Sequence, residues 1–139
     1  MALVSIIIPC FNQGQYLAES IGSVLASDHD ELEIIVVDDG STDPATVTLL
    51  EQLAYPKTRL IRQENSGLAA ARNYGIAEAH GSYILPLDAD DRIGLRYISV
   101  AVAALEADHH LGIIYCRAEK FGTERSEERR VGKECRSRW

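Results

Sequence analysis

Two short acidic clusters stand where apolar runs end, and both could hold a cation. Asp38-Asp39 follows the run 34–37, and Asp88-Ala89-Asp90-Asp91 follows the run 83–87. Like charges about 5 Å apart repel by about 1 kcal/mol in water and about 3 kcal/mol at an effective dielectric of 20. Clustered carboxylates are therefore costly without a partner, and their hard oxygens favour magnesium or manganese. A solvated acidic loop without a ligand is the alternative.

The elements that must position these carboxylates follow a repeating pattern. Runs rich in valine and isoleucine alternate with segments of helical period, which is the βαβ pattern of an α/β fold. The runs are nearly continuous in apolar residues, and this favours a mostly parallel sheet covered by helices on both faces. The predicted strands are Leu3 to Pro9, Glu33 to Val37, Arg59 to Arg62, Tyr83 to Leu87 and Gly112 to Tyr115.

Four helices are predicted between these strands. Apolar faces at helical spacing indicate one helix from Tyr16 to Leu25 and another from Leu95 to Leu105. Asp43-Pro44 provides an N-cap followed by proline at the first helical position. The segment 67–79 is helical but rich in alanine and glycine, so its backbone can approach a neighbour closely.

Polar residues follow four of the predicted strands, at Phe11-Asn12, Asp38-Asp39, Asn65-Ser66-Gly67 and Asp88 to Asp91. Ligands of open α/β sheets bind outside the carboxyl ends of the strands. Any one of these segments alone is an ordinary turn. Together they predict one binding site.

Composition limits the classes of function. A chain of 139 residues with 46% hydrophobic and 25% charged residues fits one globular domain. Residues 1–123 hold eight basic and seventeen acidic residues, which makes nucleic-acid polymers unsuitable partners. The longest apolar runs are too short to span a membrane. Three scattered cysteines predict neither a disulfide framework nor a zinc site, so we expect a reducing compartment, the cytoplasm.

Four sequence blocks, in order, resemble the family 2 glycosyltransferases of GT-A fold: VSIIIPCFN, EIIVVDDGSTD, ENSGLAAARNYGI and SYILPLDADD. The resemblance covers residues 3 to about 122. It implies a Rossmann-like fold, a nucleoside-diphosphate-sugar donor, a divalent cation (Mg or Mn) and inverting transfer. The acceptor is unknown and could be a saccharide, a lipid-linked glycan or a protein. Many members work at the cytoplasmic face of a membrane.

The same resemblance implies roles on the nucleoside side of the site. Pro9 and Phe11 would line the nucleobase pocket, and Asn12 would hold the loop shape. Asp38 and Asp39 would belong to the donor site, with Asp39 hydrogen-bonding the base or the ribose. A core position for Phe11 is the alternative.

The resemblance further implies that Gly67 and Arg72 face the nucleotide, where the arginine fork suits a phosphate or a uracil-type edge. It also implies that Asp88-Ala89-Asp90 is the Asp-x-Asp motif, which holds a divalent cation against the diphosphate. A salt bridge between Arg72 and a neighbouring aspartate is the alternative. Asp90 ranks first as metal ligand, and Asp88 contacts the donor or the metal. Strand alternation would put Asp91 on the opposite side.

The general base of the family is an acidic residue downstream of the Asp-x-Asp motif, often in a Glu-Asp pair, and this sequence has no such pair. After residue 122 the composition changes to ERSEERRVGKECRSRW, which resembles a translated vector-junction peptide. We therefore expect an incomplete domain over 1–122, truncated at its C-terminal side, and a non-native or disordered tail over 123–139. A genuine basic tail is the alternative.

Three other functions compete with donor binding and transfer. A dehydrogenase is disfavoured, because the first strand runs into Pro-Cys-Phe-Asn-Gln-Gly and not into a Gly-x-Gly-x-x-Gly turn. A metal-dependent nucleotidyltransferase would use similar aspartates. A non-catalytic nucleotide-binding or interaction remnant is the third possibility.

Overall fold

A four-stranded parallel sheet organises the first 96 residues. Its strands are β1 (Val4–Cys10), β2 (Leu32–Asp39), β3 (Thr58–Gln63) and β4 (Tyr83–Pro86), in the spatial order β3-β2-β1-β4. All of β1 and all of β2 except Glu33 are buried, because branched apolar side chains point to both faces of the two central strands. This computed structural model describes residues 2–116 and 135–138 of the chain.

Three helices connect the strands: α1 (Gly14–Leu25), α2 (Pro44–Glu51) and α3 (Leu68–Glu78). The β1-α1-β2 and β2-α2-β3 connections step along the sheet in one direction, and β3-α3-β4 steps back in the other. Since crossovers between parallel strands are right-handed, α3 covers the face opposite to α1 and α2. The predicted mostly parallel sheet with helices on both faces is confirmed.

The small residues of α3 let it lie against the sheet. Ala71 is fully buried in a cluster with Ile7, Ile35 and Val37. A methyl group built on Gly75 would overlap the Cγ2 methyl of Ile7 and lie 3.2 Å from that of Val37. The composition of the segment 67–79 is thus explained by close packing, as predicted.

The chain divides into two compact units, Met1–Arg96 and Tyr97–Trp139. The second contains α4 (Tyr97–Ala107), β5 (Ile113–Cys116) and β6 (Cys135–Arg138), with β5 and β6 pairing antiparallel. The strand predicted at 112–115 exists, but its expected place in the parallel sheet is wrong, since its partner is β6. Leu95, predicted on the apolar face of α4, precedes that helix and is 62% exposed.

The predicted domain boundary at residue 122 lies outside the described residues, as does the segment 123–134 of the predicted tail. No helix within 2–116 or 135–138 is long and apolar enough to cross a membrane.

Candidate functional site

The carboxyl ends of all four parallel strands lie on one edge of the sheet, called here the carboxyl edge. The predicted site residues lie at or near this edge: at the ends of β1 and β2, in the loops after β1 and β3, in α3 and in the segment after β4. The strand order reverses between β1 and β4, because the chain leaves β1 toward β2 and returns to the other side of β1 as β4. A crevice at such a reversal is where open α/β sheets bind ligands.

Asp39 is the hub of the loop between β3 and α3. The residue is only 5% exposed. Oδ1 accepts hydrogen bonds from Gln63 Nε2 and the Ser66 amide, each at 2.8 Å, and Oδ2 accepts one from the Gly67 amide at 3.0 Å. Burial raises the pKa of Asp39, but these hydrogen bonds outweigh burial and hold the pKa below its ordinary value. Asp39 is therefore ionised and fixes the start of α3.

Two glycines permit this loop geometry. Gly40 has φ +73°, and a side chain there would meet the Asn65 amide nitrogen at 2.7 Å. Asn65 Nδ2 donates to the Asp39 carbonyl oxygen at 3.1 Å. Gly67 has φ +99° and is the N-cap residue of α3. Since side chains rarely adopt such φ values, glycine fits both positions.

Gln63 is a residue of this hub that the sequence motifs did not reveal. It is the last residue of β3 and the register partner of Asp39 on β2. The strand register would have identified it, because the last residues of two paired parallel strands lie side by side. The sequence pattern alone did not fix that register.

Asn12 joins the loop after β1 to the loop after β2. It has φ +56°, its amide donates to Ser41 Oγ at 3.1 Å, and its Oδ1 accepts from the Thr42 and Asp43 amides at 2.8 Å each. Asparagine tolerates this left-handed conformation better than most residues. The side chain thus holds the two loops together.

Phe11 and Pro9 differ sharply in exposure. Phe11 is 42% exposed, so the structure does not show the alternative, a core position. Pro9 is buried within β1, in register with Val37. An exposed ring beside a fixed polar loop offers a stacking surface.

Asp38 shapes the turn after β2. Its Oδ1 accepts from the Ser41 amide at 2.9 Å, and its Oδ2 lies 3.8 Å from Arg62 Nε. The residue is 8% exposed. The next helix then begins as predicted, with the Asp43 side chain accepting from the Thr46 amide at the N-terminus of α2.

Arg72 lies on α3 and reaches across to the segment after β4. Its Nη2 is 2.8 Å from Asp88 Oδ1, so the salt bridge considered from the sequence is present. The side chains of Arg72 and Asp88 are 37% and 41% exposed. Arg72 Nε is buried and has no hydrogen-bond partner among the described residues.

Asp88, Asp90 and Asp91 form an acidic cluster in which one carboxylate oxygen of each lies within 4.8 Å of the others. The expectation that Asp91 points to the opposite side is wrong. Strand β4 ends at Pro86, and the chain then turns, with the Asp91 amide donating to the Asp88 carbonyl at 3.0 Å. Burial, Asp90 and Asp88, in that order, raise the pKa of Asp91.

The acidic cluster fits a divalent cation. Oxygens bound to one octahedral Mg²⁺ at about 2.1 Å lie about 3 to 4 Å apart, so small side-chain movements would bring the three carboxylates into range. Asp90 and Asp91 are exposed, which leaves room for water and a ligand to complete the coordination.

Comparison with known proteins places this geometry in a family. The sequence profile described as Glycosyl transferase family 2 matches residues 5–137. An uncharacterised glycosyltransferase of Nostoc sp. (strain PCC 7120) is 44% identical over 119 residues, which are 80% of this chain and 37% of that protein.

Two solved structures share the fold. Staphylococcus aureus TarS 1–349 in complex with UDP-GlcNAc superposes with a TM-score of 0.74 at 27% identity, covering 91% of this chain and 36% of that one. The mannosyltransferase PcManGT from Pyrobaculum calidifontis, in complex with GDP-Man and Mn²⁺, gives 0.68 at 26% identity, covering 84% and 35%. This chain spans little more than a third of the length of each of these three relatives. With its Rossmann-like GT-A fold and a profile match over nearly its whole length, the chain belongs to glycosyl transferase family 2.

Proposed function

We propose that the carboxyl edge binds a nucleoside-diphosphate sugar as the donor of a glycosyl transfer reaction. The observation that supports this most is the contact between an arginine from α3 and the acidic cluster, at the same edge of the sheet as an exposed aromatic residue, Phe11, which follows β1. These groups match the three parts of such a donor: a cation-bridged diphosphate, additional phosphate charge and a nucleobase. Structural relatives in complex with UDP-GlcNAc and with GDP-Man support this class of ligand.

The nucleoside half would lie over the loops after β1, β2 and β3. The exposed Phe11 ring can stack on a base, with Pro9 and Asn12 shaping the pocket behind it. Asp39 Oδ2 accepts one internal hydrogen bond, so it retains acceptor capacity for a base N–H or a ribose hydroxyl. Asp38 would contribute by fixing the adjacent turn, and Gly67 leaves open space at the start of α3.

The diphosphate half would lie over the acidic cluster. Asp90 and Asp88 would hold Mg²⁺ or Mn²⁺, with Asp91 as a third ligand or as a partner of a bound water. A cation there supplies Lewis-acid stabilisation of the charge that builds on the leaving diphosphate. Arg72 would add a guanidinium to the phosphate oxygens, which its planar fork suits.

Transfer itself needs an acceptor hydroxyl and a base that takes its proton. We propose inversion at the anomeric carbon by direct displacement, with a saccharide, a lipid-linked glycan or a protein as acceptor. None of the described residues is assigned as the base. Because relatives are about three times as long, we propose that the base and the acceptor site lie in further sequence and that residues 1–122 form the donor-binding domain. A cytoplasmic location stays a prediction.

Titration calorimetry tests the donor site. UDP-GlcNAc, GDP-mannose and dTDP-glucose are each titrated with and without Mn²⁺, and we expect Mn²⁺-dependent binding of at least one. The variant Asp90→Ala should abolish that dependence while leaving the melting temperature unchanged. Asp30→Ala removes an exposed carboxylate just before β2, at the opposite edge of the sheet, and is the control. Absence of binding by all three sugars, or an unchanged Mn²⁺ effect in Asp90→Ala, would contradict the proposal.

A further inference from the structure

Arg72 and a cation would compete for the same carboxylate. Asp88 is a member of the acidic cluster, and its Oδ1 accepts a hydrogen bond from Arg72 Nη2 at 2.8 Å. A carboxylate oxygen that coordinates a divalent ion has less charge to offer a guanidinium. The two cationic groups would also repel across the short distance between them. The ion pair and a cation at the cluster therefore oppose each other.

The Arg72 side chain is held weakly enough to move. It contacts Asp88 through one guanidinium nitrogen, its Nε has no hydrogen-bond partner among the described residues, and more than a third of the side chain is exposed. A two-point pair would be stronger and more directional. Because α3 itself is fixed by packing on Ile7 and Val37, movement would be confined to the side chain.

We propose, on the basis of the proposed function, that the Arg72 guanidinium takes the place of the cation beside Asp88 and neutralises that carboxylate in the ligand-free protein. When cation and donor bind together, the guanidinium moves to the diphosphate. The donor brings the negative charge that Arg72 loses at Asp88. The cation alone does not. Binding of cation and donor is thus coupled through one side chain, and the free protein has a reduced affinity for the cation by itself.

Arg72→Met tests this, because it removes the guanidinium and keeps an unbranched, helix-compatible side chain about as long as the aliphatic part of arginine. Mn²⁺ binding without nucleotide is measured from the electron paramagnetic resonance signal of the free ion. We expect roughly two- to fivefold tighter Mn²⁺ binding than in the unmodified protein, the range expected when an exposed ion pair no longer competes. With UDP or GDP present, the same variant should bind nucleotide about tenfold more weakly, because a charged hydrogen bond to phosphate is lost.

Arg62→Met is the matched control. Arg62 lies at the carboxyl end of β3, is 54% exposed and approaches Asp38, not the acidic cluster. The Arg62→Met variant removes the same charge from the same edge of the sheet and should leave Mn²⁺ affinity unchanged. Arg72→Gln repeats the test with a polar side chain, and circular dichroism verifies folding of all three variants.

The outcomes separate the inference from the proposed function. If Arg72→Met and Arg62→Met increase Mn²⁺ affinity equally, the increase is a general effect of removing a positive charge, and the inference is overturned. So would unchanged or weaker Mn²⁺ binding in both Arg72 variants, provided that the unmodified protein binds Mn²⁺ with nucleotide. If no protein binds Mn²⁺ under either condition, the proposed cation site itself is wrong, and the inference fails with it.

Discussion

Replacing Gly75 with alanine tests the packing of α3 against the sheet, and Gly22 provides a matched control. Both glycines lie within helices, Gly75 in α3 and Gly22 in α1. Alanine is favoured over glycine inside a helix by about 0.8 to 1 kcal/mol, so helix propensity alone predicts that both variants are stabilised. The surroundings differ: apart from its chain neighbours and the backbone of its own helix, no described atom lies within 4 Å of a Cβ at Gly22, whereas a Cβ at Gly75 overlaps Ile7.

The difference between the two variants therefore isolates the packing term. Overpacking a core costs about 1 to 3 kcal/mol, and the Cγ2 methyl of Ile7 cannot rotate away without moving the branched side chain in a fully buried strand. We expect Gly22→Ala to gain about 1 kcal/mol and Gly75→Ala to lie about 1 to 3 kcal/mol below it in the free energy of unfolding. Urea denaturation measures both, with equal m-values showing that the unfolded states are comparable.

Two results would refute this reasoning. One is a Gly75→Ala variant as stable as Gly22→Ala within about 0.5 kcal/mol, which would mean that α3 does not contact the sheet so closely. The other is a destabilised Gly22→Ala, which would mean that the helix-propensity argument does not apply to α1.

Three further predictions concern the loops and the ends of the sheet. Asp39→Asn should cost about 1 to 3 kcal/mol of stability, because at least one of the three part-buried hydrogen bonds to this charged acceptor is lost. Asp43→Asn should be nearly neutral, since aspartate and asparagine are equally good N-caps. Thermal unfolding compares the two variants. Burial raises the pKa of Glu33, but hydrogen bonds from Ser5 and His80 outweigh burial and hold the pKa below its ordinary value. The ionised carboxylate therefore stabilises the fold fully above the unfolded-chain pKa of about 4.3, and this contribution is lost as the pH falls through the folded pKa. Glu33→Gln should flatten the acid limb of a stability–pH profile. Phe11→Ala should weaken nucleotide binding by about 1 to 3 kcal/mol, because the stacking contact is lost. The free energy of unfolding should stay within about 0.5 kcal/mol of that of the unmodified protein. If titration calorimetry finds unchanged nucleotide affinity, Phe11 does not stack on the base.

Much of the fold could be predicted from the sequence because local patterns dominate its first unit. The runs that become β1 and β2 are so rich in isoleucine and valine that burial on both faces was the consistent interpretation. The cap at Asp43 and the small residues of α3 were similarly local signals. Four strand ends carrying polar residues then predicted one shared edge, since parallel strands end together.

The errors arose where pairing between distant segments decides the outcome. The strand at 112–115 was recognised, but a short apolar run does not reveal whether its partner is a parallel strand or an antiparallel one, and here it is β6. Asp91 was placed by continuing strand alternation past Pro86, where the backbone has already turned. Gln63 was missed because its role depends on the register of β3 against β2.

The proposed donor site draws on several loops at once, and contacts between them link its parts. Asp39 fixes the Ser66 and Gly67 amides, and this sets where α3 begins. Arg72 lies five residues after Gly67, about 7.5 Å along the helix axis, where it reaches Asp88 in the segment after β4. A change at Asp39 that shifts the start of α3 would therefore also move Arg72 relative to the acidic cluster. The nucleoside and cation halves of the site are linked through one rigid helix, so we expect substitutions in the loop after β3 to alter the cation dependence of donor binding as well as the affinity for the base.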